Sequence, residues 1–187
     1  MSDDMEVRIG VVVHDRGQNG EDVFAEFIRE LMARAPFRIG GLYQETVRNP
    51  DGPNLMELVD AGSGERFRIS QALGSGSASC CLDPSGLADA SARLRAVLEA
   101  GVDLLVANKF AGAEADGEGL APEIFRAVSD GVPVLLLVSR RYLDAWMEAS
   151  GGLGTLIEPT LPAMRAWVDG LGLSAVRSVS LEDTSAS

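Results

Sequence analysis

The stretch Val11–Ile28, VVVHDRGQNGEDVFAEFI, decides the fold. Its apolar opening, read with the preceding residues as Arg8–Val13, predicts a short and fully buried strand. After a glycine-bearing turn, Val23, Phe24, Phe27, Ile28, Leu31 and Met32 recur at helical spacing and mark one apolar face. Strand, glycine turn and helix in that order make the layout of a phosphate-cradling loop, whose working form is G-x-x-x-x-G-K-[ST]. In such a loop the backbone amides form an anion nest, the lysine neutralises phosphate and the hydroxyl ligates magnesium. Counting back from Gly20, Asp15 stands at the first glycine, Arg16, Gly17, Gln18 and Asn19 fill the interior, Glu21 replaces the lysine and Asp22 the hydroxyl. Acids in a first helical turn suit the helix dipole, which is reason enough for their presence. They also oppose a phosphate: two unit charges about 4 Å apart repel by roughly 4 kcal/mol at an effective dielectric of ~20. Ordinary nucleotide binding is disfavoured, while Asp15, Gly17 and Gly20 still line any ligand site this turn builds.

Outward from that stretch the chain keeps a βα rhythm. Arg38–Val47, RIGGLYQETV, predicts a strand, and LMELV and RFRIS flank DAGSGE as an antiparallel hairpin. The loop QALGSGSASCC precedes Asp83-Pro84, which caps and opens a helix carrying Leu87, Leu94, Val97 and Leu98 and ending at Gly101. Val102–Ala107 is a strand, Asn108–Gly119 a loop, and Pro122 opens a helix stopped by Gly131. Val132–Val138 is a further buried strand, RRYLDAWMEAS a helix, and Thr160-Leu161-Pro162 begins a last helix through Val168. Near-continuous Val/Leu strands alternating with helices predict an α/β fold, a mainly parallel sheet with helices on both faces and an antiparallel hairpin insertion. Residues 1–173 are expected to form one domain, and the serine-rich tail 174–187 to be flexible.

Charge and composition narrow the function classes. Twenty-eight acidic residues against 16 basic ones give a formal charge of −12, and no basic cluster opposes it, so nucleic acid is not an expected partner. The longest apolar runs, such as VPVLLLV, are too short to span a bilayer, and the acidic start MSDDMEVR is unlike a secretory signal. No membrane insertion and a cytoplasmic location are therefore expected. Cys80 and Cys81 are adjacent, and a bridge between neighbours demands a strained ring. They read as free thiols in a reducing compartment, or as a paired thiolate for a soft metal. No metal site and no cofactor is assigned on these residues. A small anionic ligand and self-association into a homo-oligomer stay open.

Four further runs carry a resemblance: IGGLYQETVR, LMELVDAGSGERFRIS, VDLLVANKFAGAE and VPVLLLVSRR. Together they resemble the nucleoside-triphosphatase family of small P-loop proteins. They resemble in particular a bacterial branch of it, a domain of unknown function often encoded beside molybdate-transport genes. The similarity runs from Val7 to Val168, and RISQALGSGSASCCLDP and NKFAGAEADGEGL resemble that branch specifically. The resemblance implies a P-loop NTPase-like fold and a link to molybdate or other oxyanion metabolism. In active members of the wider family the matching strand ends in DEIG-x-ME, where Asp holds magnesium through water and Glu polarises the attacking water. Here that register gives Asn108 and Lys109, with Glu114 retained at the last position. Asn lacks the charge magnesium favours, and Lys is no base unless strongly desolvated. The expectation is a ligand-binding or regulatory protein on a degenerate frame, the alternative an active nucleoside triphosphatase using unconventional residues.

Other groups join the candidate site. Gly74, Ser75, Gly76, Ser77 and Cys80 lie in a loop whose amides and hydroxyls suit an oxyanion, or which merely connects. Lys109 falls just past a predicted strand end, where open α/β sheets place ligands. Arg140 and Arg141 follow the next strand and resemble a basic pair that contacts phosphate in the family; at least one of them is expected to cap a sheet edge or to pair with the acidic loop EADGEG. His14 ends the first strand beside the loop, and Glu114, Asp116 and Glu118 are spaced like a cation-attracting loop. Trp146 and Trp167 read as core. The ligand site is expected where Asp15–Asp22, Gly74–Cys80 and Asn108–Glu114 meet.

Overall fold

The computed structural model describes residues 8–69, 84–110 and 112–173. The expected tail, and the loop holding Gly74, Ser75, Gly76, Ser77 and Cys80, lie outside the described residues. In chain order the elements are β1 (Ile9–His14), α1 (Gly20–Arg34), β2 (Ile39–Val47), β3 (Leu55–Asp60), β4 (Arg66–Arg68), α2 (Pro84–Ala100), β5 (Leu104–Phe110), α3 (Gly112–Ala115), α4 (Ala121–Ser129), β6 (Val134–Ser139), α5 (Leu143–Ser150), β7 (Thr155–Ile157) and α6 (Leu161–Gly170). A 3-10 turn at Arg140–Tyr142 joins β6 to α5.

The described strands form a seven-stranded sheet in the order β4-β3-β2-β5-β6-β1-β7. β1 pairs in parallel with β6 and β7, and β5 with β2 and β6. The β2-β3-β4 meander is antiparallel. The α/β fold read from the sequence is the one observed. The three apolar runs that demanded cover on both faces, β1, β5 and β6, are all interior, because residues such as Val11, Val12, Leu105, Val106, Leu135 and Leu136 have no exposed surface. Alternation along the strands builds two cores. On one face Phe24, Phe27 and Ile28 of α1 and Met164 and Val168 of α6 pack on Val12, Val106 and Leu137. On the other, Leu94 of α2, Ile124 of α4 and Trp146 of α5 pack on Val11, Leu105 and Leu136.

Three differences from the sequence reading bear on the site. First, β5 runs on through Asn108 and Lys109 to Phe110, where a loop was expected. Phe110 is fully buried and meets Trp146 edge to face at 5.3 Å, so its packing draws the polar pair Asn108-Lys109 into the strand. A register shift accompanies this: Asn108 aligns with Leu137 but Phe110 with Val138, leaving Lys109 as the extra residue of a bulge. Second, the rest of that expected loop contains α3. Third, β7 was not anticipated. It has three residues, too few to show a period, and it pairs with β1 at the sheet edge. Trp167 is half-buried; its ring sits against Gly10, where a Cβ would lie 2.8 Å from it.

The hairpin between β3 and β4 closes on Asp60, which is fully buried. Its Oδ1 accepts from the N–H groups of Gly62 (2.6 Å) and Ser63 (3.0 Å), and its Oδ2 accepts from Arg93 Nε on α2. Burial alone would raise its pKa, but the Arg93 hydrogen bond, the two backbone donors and the arginine's charge together hold it below the ordinary aspartate value. The sign follows: this stabilisation is full above the unfolded-state value and is lost as acidification passes down through the folded one. Asp60→Ala is expected to cost about 2–3 kcal/mol at neutral pH, since it strands an arginine and two turn amides. Urea melts at neutral and acid pH check it, the gap between variant and wild type narrowing toward low pH.

Candidate functional site

β1, β5 and β6 all deliver their C-terminal ends to one edge of the sheet, and the loops that leave them frame a cleft of about 1080 Å³. Open parallel sheets place ligands at such an edge. The cleft is lined by residues 14–19, 21 and 22 of the β1-α1 turn, by Asn108, Gly112, Glu114 and Leu120, by residues 139–142 after β6, and by Gln44, Thr46, Arg48, Asn54, Met56 and Leu58 of the meander. A second hollow of about 500 Å³ adjoins it beyond β1, bounded by residues 18–20, Arg140 and residues 156–160.

The β1-α1 turn takes its shape from its own residues. Gly17 adopts φ +89°, a conformation side chains disfavour, and the Asp15 N–H donates to Gln18 Oε1 at 3.2 Å. α1 begins without a side-chain cap on Asn19, and Glu21 and Asp22 occupy its first turn. Gly20 is buried against the imidazole: a Cβ there would lie 2.3 Å from His14 Cβ, so only glycine lets α1 seat on the end of β1. Gln44 Nε2 reaches Glu21 Oε2 at 3.5 Å, linking the helix start to β2.

The sequence candidates separate into distinct roles. Asp15, Gly17, Asn108, Glu114 and Arg140 all line the larger cleft, and Gly20 lines the adjoining hollow. Arg140 does not pair with the acidic loop EADGEG. Its Nε donates to Asp15 Oδ1 at 2.5 Å, so the first position of the turn is tied to the end of β6. Arg141 instead lies over the Tyr142 ring, 5.3 Å from its centroid. Glu114 is buried and accepts from the Leu120 N–H at 3.1 Å, fixing the approach to α4, while Asp116 and Glu118 are exposed. Among the described residues no three His, Cys, Asp or Glu side chains gather as metal ligands.

The cleft floor is unusual. Asn108 is 2% exposed and His14 8%, yet both carboxamide atoms of Asn108 and Nε2 of His14 are buried without a hydrogen-bond partner among the described residues. Buried polar atoms in folded proteins are nearly always paired. Gln44, Thr46, Arg48 and Tyr142 also line the cleft and were not singled out from sequence. The alternation of β2 offers no cue, because the meander's contribution depends on which strand end it brings alongside β5.

Residues 9–167 match the family described as a protein of unknown function (DUF2478), and the chain belongs to that family. The molybdenum import ATP-binding protein ModC 2 of Bradyrhizobium diazoefficiens is 35% identical over 161 residues. That match takes in 86% of this chain and 18% of the relative, so the chain spans under a fifth of that protein's length. The solution structure of a human cancer-related nucleoside triphosphatase has a TM-score of 0.57 at 13% identity, covering 87% of this chain and 98% of the other. That likeness shows a shared α/β fold. No helix among the described residues is long and apolar enough to cross a membrane.

Proposed function

We propose that this member of the DUF2478 family is a ligand-binding or regulatory protein on a nucleoside-triphosphatase frame that no longer hydrolyses nucleotides, serving molybdate or another oxyanion. One observation carries the reading. The turn that would cradle a triphosphate lines the cleft with Glu21 and Asp22 at the helix start, and its Asp15 occupies Arg140. Asn108, at the position of the magnesium-holding acid in the resemblance, is buried and neutral. The relative's name joins molybdenum import to ATP binding, which supports the oxyanion link and also the alternative, an active nucleoside triphosphatase with unconventional residues. The charges in the cleft favour the first. A small anion is read as held at the cleft mouth by Arg16, Arg48, Arg140 and Arg141, all exposed.

The test is a molybdate titration followed by NMR. Shifts are expected at the cleft mouth, in residues 15–22, in Arg48 and in residues 139–142. Asp15→Asn frees Arg140 from an exposed ion pair worth about 0.2–1 kcal/mol, so it is expected to tighten binding by up to about fivefold. Shifts confined to the far end of the sheet would remove the site.

A further inference from the structure

Asn108 and His14 face the same side of the sheet. Asn108 aligns with Leu137 of β6 and His14 with Ser139, two residues further on, and residues two apart on a strand share a face. It is the face covered by α1, for Leu137 packs in the same core as Phe24 and Phe27. Asn108 and His14 both line the cleft, and Asn108 Nδ2, Asn108 Oδ1 and His14 Nε2 are buried polar atoms with no hydrogen-bond partner among the described residues. Unpaired buried polar atoms are costly, and a ligand that pairs with them offsets that cost.

The hydrogen-bond inventory limits what that ligand presents. A fully ionised oxyanion only accepts, so it would serve Nδ2 and set negative charge against Oδ1. A cation would serve Oδ1 and strand Nδ2. Exchanging the two amide atoms alters nothing, since both are unpaired. A group with a donor and an acceptor side by side satisfies both at once, and His14 Nε2 takes either role according to its tautomer. We propose that the Asn108–His14 floor receives an uncharged ligand group that both donates and accepts, the planar edge of a nucleobase or of a carboxamide. This rests on the reading of the cleft as a ligand site. An asparagine pairs bidentately with a purine edge in this way, and a cleft of about 1080 Å³ is large enough for a nucleoside. The walls agree: Glu21 and Asp22 disfavour negative charge at the helix start, while Arg16, Arg48 and Arg141 offer positive charge toward solvent. The ligand would then enter head first, its neutral edge where a phosphate loop holds phosphate and its anionic part at the mouth.

The experiment titrates isotopically labelled protein with adenosine, with benzamide and with molybdate, reading the Asn108 side-chain NH₂ and the His14 ring by NMR. Adenosine is expected to shift both signals, and Asn108→Leu to weaken adenosine at least tenfold while changing molybdate affinity less than twofold. A response to adenosine alone assigns a nucleobase edge, and a response to benzamide as well assigns any carboxamide-like edge. If molybdate moves the mouth arginines while neither uncharged probe moves Asn108, the proposal fails and the anion site stands. If no probe moves any cleft signal, both readings fail. Equal displacement of Asn108 by molybdate overturns the proposal too. Should Asn108→Leu not fold, the wild-type side-chain shifts decide alone.

Discussion

Replacing Glu21 by Lys together with Asp22 by Thr is expected to tighten ATP binding about 100-fold and to leave hydrolysis absent. The double change shifts the local charge by +3, two units from Glu21→Lys and one from Asp22→Thr. Glu21 is half-buried and Asp22 exposed, so each unit is discounted to the value in bulk water, about 1 kcal/mol at 4 Å. Three such units make about 3 kcal/mol, or roughly two decades in affinity. The variant also restores the lysine and hydroxyl of a phosphate loop at the start of a 15-residue helix. Turnover still lacks a carboxylate for magnesium, because Asn108 is neutral, and phosphoryl transfer depends on that charge stabilisation. Adding Asn108→Asp is the change expected to admit slow turnover. Calorimetric titration of ATP with magnesium checks the first step. A gain under threefold would mean that phosphates do not approach this helix start.

Gly41→Ala is expected to be the most damaging single substitution in the sheet. Gly41 sits in β2 at φ +118°, opposite Val106 of β5, and a Cβ there would lie 1.9 Å from the Val106 carbonyl oxygen. The obstacle is backbone of a central strand, which cannot rotate away as a side-chain tip would. Gly41 O also accepts from the Ala61 N–H at 2.8 Å, so moving it disturbs β3 as well. This joint fastens the antiparallel meander to the parallel sheet and sets Gln44 and Thr46 at the cleft. A cost of at least about 4 kcal/mol is expected, a fall in Tm of roughly 8–16 °C for a protein of this size. A drop below about 3 °C would show that β2 and β5 separate easily.

Much of this was legible in the residues. The apolar runs of β1, β5 and β6 demanded cover on both faces, and all three lie inside the sheet. The acids at Glu21 and Asp22 stood out against a phosphate-loop template and the neutral Asn108 against the DEIG-x-ME strand of the resembled family, and all three line one cleft. What escaped was whatever the tertiary structure alone creates. β7 exists because β1 offers an unpaired edge, and its three residues carry no period. Lys109 entered a strand bulge because buried Phe110 two positions after Asn108 drew the chain on. The pairing of Arg140 with Asp15 joins residues 125 positions apart, and no local pattern encodes it. The unpaired state of Asn108 and His14 is likewise a property of what surrounds them. Glycine at position 41 hinted at a close approach, since strands tolerate glycine poorly without one. Its partner could not be named from the sequence.

Phosphate release from ATP and GTP by the purified wild-type protein with magnesium decides whether the proposed loss of hydrolysis is real. The expected result is no release above the uncatalysed background for either nucleotide. Turnover of roughly 1 per second, the low end for phosphoryl-transfer enzymes, abolished by Arg140→Ala or Lys109→Ala, would contradict it and identify an enzyme with unconventional catalytic groups.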